Sequence, residues 1–368
     1  AVLCLPAMSD FPFAKARHVV GIDLGTSHVA VAQLAVADAA SHAVSAAEDQ
    51  KSGDKPAMLP IAQLVGPGQV DAQVLLPSLR YHPAPGELDA ASLNQPWPSW
   101  QPPVDAELQQ AIAAYVHQGS AAEQPPAVIG AYARALGAQV PSRLVSSAKS
   151  WLSHAGVDRT APILPWGAPP DVPRISPLHA TASYLAHVQS AWNQAHPDAP
   201  LAQQAVCITV PASFDEGARA LTVEAARLVG LTQVQLLEEP QAAMTDWLQL
   251  QGAALAEQLH GQRLVLVVDV GGGTTDFSLM AVQAAPGAGW PQLTRLTVGE
   301  HLMLGGDNMD LAIAHALEPQ LTGAAQAASA ADGAAQAPTS RLTRLSAARF
   351  ALLVQQCRAA KERLLAAD

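Results

Sequence analysis

Short apolar runs alternate along the chain with longer segments of helical periodicity, which is the pattern of an α/β protein. Two of the apolar runs share one layout. Residues 18–34 read HVVGIDLGTSHVAVAQL, and residues 264–279 read LVLVVDVGGGTTDFSL. Each predicts a buried strand that ends at an aspartate, a glycine turn with hydroxyl side chains, and a second strand. Two such hairpins far apart in sequence predict two similar half-domains that face each other across a cleft.

The turns of the two hairpins predict a phosphate site. Glycine lets backbone N–H groups approach an anion closely, and successive N–H groups in such a turn form a concave anion site. Asp23 and Asp269 stand at the ends of the first strands and would each bring a carboxylate to the same place. A metal that bridges carboxylate and phosphate is typical of phosphoryl transfer. We therefore expect Asp23 and Asp269 to lie opposite each other and to bracket one polyphosphate.

The rest of the pattern alternates helices with strands. Strands are predicted at 205–210, 233–237 and 293–298, and broken strands over 56–79. Helices are predicted at 105–117, 127–136, 176–195, 215–229, 241–259 and 342–365, and from 308 onward. The proline-rich segment 81–103, which carries two tryptophans, predicts a surface insertion. Residues 322–339 are rich in Ala, Gly, Ser and Gln and predict a mobile loop.

Composition narrows the functional classes. The 368 residues are 49% hydrophobic and carry a formal charge of −11, which disfavours binding to nucleic acid or to an anionic membrane. No apolar run reaches the length of a membrane span. The three cysteines are scattered without a CxxC pair, as in a reducing compartment, so we expect a cytoplasmic protein. The twelve histidines show no metal-ligand spacing.

Several motifs occur in an order that belongs to a known family. They are GIDLGTS, SAKSWL, TVPASF, EEPQAA, DVGGGTTD, LGGDNMD and CRAAKERL. The last five resemble the TVPAYF, NEPTAA, DLGGGTFD, LGGEDFD and CERAKRTL of the 70-kilodalton heat-shock chaperones, which are DnaK-like. The chain thus resembles the N-terminal ATPase domain of that family, in a divergent form that we expect to be truncated at its C-terminal end.

The resemblance implies an actin-like ATPase fold of the ribonuclease H-like type, with two lobes of mixed β-sheet and flanking helices around a nucleotide cleft. The second lobe would be incomplete. The implied organisation is an N-terminal extension at 1–17, a lobe I core at 18–55 and 174–260, an enlarged subdomain IB at 56–173, a lobe II core at 261–310, and the start of subdomain IIB at 311–368.

The resemblance also implies ATP hydrolysis to ADP and phosphate, with Mg²⁺ and with K⁺ as a further candidate ion. Lys149 would orient the attacking water, with Glu239, Asp269, Asp23 and Thr274 as the other catalytic candidates. The metal would be held, largely through water, by Asp23, Asp269, Glu239 and Asp276. The nucleotide would contact Gly25, Thr26, Ser27, Gly271, Gly272, Gly273, Thr274, Thr275, Gly305, Gly306 and Lys361.

In the intact protein the resemblance implies peptide clients and co-chaperones, with Pro211 and Arg219 relaying the nucleotide state to a peptide-binding domain. Two departures weaken the match. The segment before Lys149 is longer than usual, and Arg358 stands where the family has the glutamate that contacts the ribose. Two alternatives therefore stay open: another actin-like enzyme, such as a sugar kinase or exopolyphosphatase, and a scaffold that binds nucleotide without turnover.

Overall fold

The computed structural model describes residues 16–36, 56–96, 126–251, 263–283, 292–299, 302–331 and 344–366. Its largest sheet is mixed and has the order β11-β10-β1-β2-β3, with β6 also paired to β2. The strands are β1 His18–Leu24, β2 His28–Ala35, β3 Ala57–Met58, β6 Leu75–Pro77, β10 Ala205–Val210 and β11 Val234–Glu238. Strands β1, β10 and β11 are parallel, and β2 is antiparallel to β1. This sheet forms the centre of what we call lobe I.

Two helices cover the lobe I sheet, and their ends are encoded locally. Helix α3, Pro177–Ala195, begins at Ser176, whose side chain accepts from the backbone N–H of His179. Helix α4, Glu216–Leu228, is capped in the same way by Asp215, and Gly230 follows it with a φ of 85°. Such caps satisfy backbone groups that the helix leaves unpaired. The helices pack on the sheet through the main hydrophobic core, which includes Trp192.

An insertion between β2 and α3 carries its own small core. It contains the hairpin of β4 Ile61–Gly66 and β5 Gln69–Gln73, a sheet of β7 Arg80–Tyr81, β8 Val128–Ile129 and β9 Leu144–Val145, and two helices, α1 Ala131–Gln139 and α2 Ala148–Ser153. The helix predicted at 127–136 is wrong at its start, because Val128 and Ile129 pair with β7 as a strand. Gly130, with a φ of 87°, turns the chain from that strand into α1.

Lobe II is built on a three-stranded sheet of β12 Leu264–Val270, β13 Thr275–Gln283 and β14 Gln292–Val298. Its described strands are all antiparallel, so the mixed sheet expected for this lobe is not found in this part of the chain. Helix α5, Glu239–Gln251, follows β11 and packs on the sheet through Met244 and Leu248. The other face of β12 is solvent-exposed and apolar, with Leu264, Leu266, Val268 and Val270 about half exposed.

Two long helices complete the described part of lobe II. Helix α6, Gly306–Ala331, and helix α7, Ala347–Leu365, pack against each other around Ala314, Leu353 and Cys357. The loop predicted at 322–339 is therefore helical as far as residue 331, because α6 continues into this alanine-rich segment, and alanine is the strongest helix former. Helix α7 also reaches the insertion, where the Nε2 of Gln355 donates to the backbone oxygen of Arg134 at 3.2 Å.

Some predictions lie outside the described residues: the helix at 105–117, the part of the tryptophan-bearing insertion beyond residue 96, the end of the helix predicted at 241–259, and the loop at 332–339. Within the described residues, the helices are all too short or too polar to span a bilayer.

Candidate functional site

The two glycine turns meet face to face. A Cβ atom on Gly272 would lie 1.8 Å from the Oγ of Ser27, and one on Gly273 would lie 3.1 Å from the Cγ2 of Thr26. The turn at 25–27 and the turn at 271–274 are therefore in contact with each other. The sequence predicted that the two hairpins would face each other across a cleft, and that they enclose a nucleotide there stays a prediction.

The first turn is held from the insertion. The hydroxyl of Ser78 donates to the oxygen of Gly25 at 2.7 Å, and the backbone N–H of Ser78 donates to the oxygen of Ser27 at 2.9 Å. A side chain at Gly25 would meet the backbone oxygen of His28 at 2.4 Å, so the turn requires glycine. Ser78 is buried and was not among the predicted site residues, since it lies 53 positions from Gly25 and belongs to none of the motifs.

Ser27 has a side-chain hydroxyl that no described residue satisfies. Its Oγ is buried and has no protein partner. A buried hydroxyl without a partner costs free energy unless a ligand or water satisfies it. A hydroxyl of this kind suits a phosphate oxygen, to which it can donate a hydrogen bond. The donor chemistry of the turn therefore fits the nucleotide that the sequence predicts.

The second turn is fixed to the start of α6. The N–H of Gly306 donates to the oxygen of Gly271 at 3.0 Å, and the N–H of Asp307 donates to the oxygen of Gly272 at 2.7 Å. A Cβ on Gly305 would lie 2.5 Å from both of those oxygens. Gly305 and Gly306 thus support the turn from behind, and the N–H of Gly306 is already used by the protein.

Thr275 has a supporting role of the same kind. Its hydroxyl donates to the oxygen of Leu304 at 2.8 Å, and its backbone pairs with Leu302. The hydroxyl proton of Thr275 is therefore committed to the protein, in contrast to its predicted contact with the nucleotide. Thr274, one position earlier, lies in the turn itself and accepts from the N–H of Gly271 at 2.8 Å through its backbone oxygen.

A lysine–glutamate pair lies between the two turns. Lys149 is on α2, and its Nζ donates to the Oε1 of Glu239 at the first position of α5. Both side chains are largely buried. Ser147, just before α2, has a φ of 54°, in the left-handed region that non-glycine residues rarely adopt. Such strain clusters at functional sites, and here it sets the direction in which α2 presents Lys149.

The carboxylates around this lysine interact with one another. Burial raises the pKa of Glu239, Lys149 lowers it, and Asp23 and Asp269 raise it further. Burial also raises the pKa of Asp269, which Lys149 lowers and the carboxylates of Asp276 and Asp23 raise. Asp23 accepts from the hydroxyl of Thr209 at 2.7 Å. Glu239, Asp269 and Asp23 are thus near enough to influence one another's ionisation.

The described acids do not form a compact metal site. Among the described residues, no three side chains of His, Cys, Asp and Glu lie close enough to ligate a metal directly. Asp276 is buried on β13, directly opposite Asp269 in the strand register. Mg²⁺ keeps much of its water shell and is usually bound through few protein ligands, so these acids would hold it through water.

The lysine predicted to contact adenosine lies near the second turn. The Nζ of Lys361, on α7, donates to the oxygen of Gly306 at 3.0 Å and pairs with Asp310 at 2.7 Å. The Nε of Arg358 donates to the other oxygen of Asp310 at 2.9 Å, and its Nη2 pairs with Asp307. Arg358 is therefore turned toward the start of α6 and held there by two carboxylates.

The two residues predicted to relay the nucleotide state, Pro211 and Arg219, both contact Phe214. Pro211 follows β10, and its oxygen accepts from the N–H of Phe214 at 3.2 Å. Arg219, on α4, donates to the oxygen of Phe214 at 3.3 Å and pairs with Glu238 at 2.7 Å. Pro211 thus belongs to the turn between β10 and α4, and Arg219 contacts that turn from α4. Whether this turn transmits the nucleotide state stays a prediction.

Comparison with known proteins bears on this cleft directly. Residues 174–345 match the family model described as Hsp70 protein. The matched segment contains Glu239, the whole second turn and the start of α6. Over this segment the chain matches the Hsp70 family. The first turn and Lys149 lie before the matched segment and Lys361 after it, so their roles rest on geometry and on the motifs.

Curated relatives agree with this assignment. The chain is 38% identical over 114 residues to the chaperone protein HscA homolog of Acinetobacter baylyi, an alignment that covers 31% of this chain and 17% of the relative. It is 33% identical over 207 residues to the chaperone protein HscA of Edwardsiella ictaluri, covering 52% and 30%. A homolog from Acidithiobacillus ferrooxidans is 30% identical over 197 residues, covering 50% and 29%. The alignments thus span less than a third of the length of these relatives.

Proposed function

We propose that this chain is the ATP-binding and ATP-hydrolysing part of an Hsp70-type chaperone, with the nucleotide phosphates held between the turns at 25–27 and 271–274. The observation that carries the proposal is the contact of these two turns around the Lys149–Glu239 pair. An actin-like fold with two lobes is what the match to the Hsp70 family implies. The exclusion of nucleic acid and membrane as partners rests on the negative charge of the chain.

The residues around the two turns would have different roles in ATP hydrolysis. Backbone N–H groups of the glycine turns and the hydroxyls of Thr26, Ser27 and Thr274 would hold the phosphates. Asp23 and Asp269, with Glu239 and Asp276 behind them, would hold Mg²⁺, which when bound neutralises the negative charge of the phosphates. Lys149 would position the attacking water and offset negative charge as it develops on the phosphate. Glu239 would keep the Lys149 ammonium in place through their ion pair.

The surroundings of the nucleotide base are different from the family pattern. A guanidinium carries donors only, so Arg358 cannot accept a hydrogen bond from a ribose hydroxyl, and it is already paired with Asp307 and Asp310. Lys361 lies against Gly306, and its ammonium is already paired with Asp310. We propose that the cleft binds ATP and ADP mainly through their phosphates, and that it discriminates weakly between different nucleoside triphosphates.

In the whole protein we propose that hydrolysis is coupled to the binding of peptide clients and to co-chaperones in the cytoplasm. The relatives carry the name HscA, a chaperone protein, and their names do not favour the DnaK type. The sugar-kinase alternative gains nothing from the comparisons. The scaffold alternative differs only in turnover, so a turnover experiment decides between it and our proposal.

The test is single-turnover ATP hydrolysis by the full-length protein and by its Lys149→Ala variant. We expect hydrolysis to fall by about 100-fold or more, the usual effect of removing a group that stabilises charge in the transition state. ATP affinity should change much less. Arg227→Ala is the matched control, because Arg227 pairs with Glu224 on the exposed side of α4.

Two results would contradict the proposal. If the Lys149→Ala variant hydrolyses ATP at the wild-type rate, the lysine has no catalytic role. If the wild-type protein binds ATP in the presence of Mg²⁺ without hydrolysing it, the scaffold alternative is correct.

A further inference from the structure

The carboxylate of Glu238 forms ion pairs with one arginine from each lobe. It is the last residue of β11 in lobe I, and its Oε1 accepts from the Nη2 of Arg219 at 2.7 Å. Its Oε2 pairs with the Nη1 of Arg295, which lies on β14 of lobe II. The side chain of Glu238 is only 12% exposed. One largely buried carboxylate of the lobe I sheet therefore binds α4 through Arg219 and the lobe II sheet through Arg295.

Glu238 is next in sequence to Glu239, one of the proposed catalytic residues. Glu238 directly precedes Glu239, the partner of Lys149, and β11 passes into α5 between the two residues without a connecting loop. A displacement of the Glu238 backbone is therefore transmitted to Glu239. In the strand register Glu238 lies opposite Val210, the residue before Pro211. The triad of Arg219, Glu238 and Arg295 thus lies beside both the catalytic pair and the predicted relay turn.

The two ion pairs require a carboxylate at position 238, where the family motif has an asparagine. The chaperone motif that this segment resembles reads NEPTAA, and here it reads EEPQAA, so Glu238 replaces a neutral asparagine. An asparagine side chain cannot form ion pairs with two arginines, whereas a carboxylate can accept from both. Because the pairs are partly shielded from water, they are screened less than surface pairs would be.

We propose that Glu238 is a positioning residue, and that its ion pair with Arg295 makes the separation of the two lobes control the position of Glu239 against Lys149. When lobe II is close, Arg295 holds the end of β11 in place and Glu239 meets Lys149. When lobe II moves away, Glu238 is left with Arg219 alone, and the start of α5 is free to shift. The catalytic consequence rests on the function proposed above, whereas the mechanical link does not.

The kinetic test compares Arg295→Gln, Arg295→Lys, Glu238→Gln and the double variant of Arg295→Gln with Glu238→Gln, in the full-length protein. We expect Arg295→Gln to lower kcat for ATP hydrolysis by about 10-fold to 100-fold, because small displacements of positioning groups have effects of this size. KM should stay within about twofold. Arg295→Lys keeps the charge and should restore most of the rate.

The double variant shows whether the two residues act as a unit. If they do, Arg295→Gln has no further effect on a protein that already carries Glu238→Gln. Arg227→Gln is the matched control, since it removes an exposed arginine–glutamate pair on α4 and should leave the rate unchanged. A wild-type kcat in Arg295→Gln, or independent effects of the two substitutions, would overturn the proposal.

A second measurement keeps the inference separate from the proposed function. Hydrogen exchange of the segment 234–251, recorded without nucleotide, reports the stability of β11 and the start of α5. We expect faster exchange there in Arg295→Gln than in wild type and in Arg227→Gln. Unchanged exchange overturns the mechanical link even in a protein that hydrolyses ATP. Faster exchange in a protein that binds no nucleotide would sustain the link and refute only the proposed function.

Discussion

Replacing Asp310 with alanine should destabilise lobe II far more than replacing Asp307. Asp310 is fully buried and holds two cations, Arg358 at 2.9 Å and Lys361 at 2.7 Å. Asp307 is 37% exposed, and its ion pair among the described residues is with Arg358. The two aspartates share a helix and a partner and differ mainly in burial. Asp307→Ala is therefore the matched control for Asp310→Ala.

The expected magnitude follows from what each substitution leaves behind. Removing one member of a buried ion pair costs about 3–5 kcal/mol, because the remaining charge stays buried without compensation. Arg358 and Lys361 are 23% and 17% exposed and can turn partly toward water, and Arg358 keeps Asp307. We therefore expect about 3 kcal/mol for Asp310→Ala. For Asp307→Ala we expect about 0–1 kcal/mol, as for pairs near the surface.

Hydrogen exchange of α6 and α7 is the suitable assay, because two lobes need not unfold in a single step. A loss of about 3 kcal/mol corresponds to roughly a 100-fold increase in exchange for amides such as those of Leu353 and Cys357. Amides of lobe I should be unaffected. Equal effects of the two substitutions, or a loss below about 1 kcal/mol for Asp310→Ala, would show that burial of this carboxylate does not hold the two helices together.

Two further predictions concern the cleft and the response to acid. Gly272→Ala should weaken ATP binding by at least 10-fold in a calorimetric titration, because its Cβ would overlap Ser27, whereas Gly21→Ala, which meets nothing within 4 Å, should bind as wild type does. Burial lowers the pKa of His187 to about 4, although its hydrogen bond to Ala62 raises it. The unfolded chain therefore binds more protons, and stability should fall as the pH drops from about 7 to 4, by up to about 1.4 kcal/mol per pH unit for this residue. In urea unfolding at several pH values His187→Gln should reduce that slope, and an unchanged slope would contradict the assignment.

Much of the fold could be predicted because its signals are local. Alternating and continuous apolar runs predicted β1, β2, β10 and β12, and the helix predicted at 215–229 corresponds to α4, which Asp215 caps and Gly230 follows. The start of α1 was wrong because Val128 and Ile129 pair with a strand more than forty positions earlier, and such pairing leaves no mark in a short window of sequence.

Part of the candidate site could also be predicted from local signals. The residues that were missed act on the site from distant segments of the chain. The glycine turns and Lys149 lie in motifs whose spacing is visible in the chain itself. Ser78 and Arg295 act on those motifs from distant segments, and a serine or an arginine alone carries no local signal. Arg358 is an intermediate case: its departure from the family pattern was apparent, but its attachment to Asp307 and Asp310 required the packing of α7 on α6.

The placement of the two glycine turns in separate lobes has a consequence for how the protein matures. The first turn emerges early during synthesis and the second only after most of the described chain has been made. The pair of turns cannot be complete before then. A molecule that binds both turns at once binds only the folded form, so it stabilises both lobes together. If that molecule is the nucleotide proposed above, its binding would favour the copies in which both lobes have folded correctly.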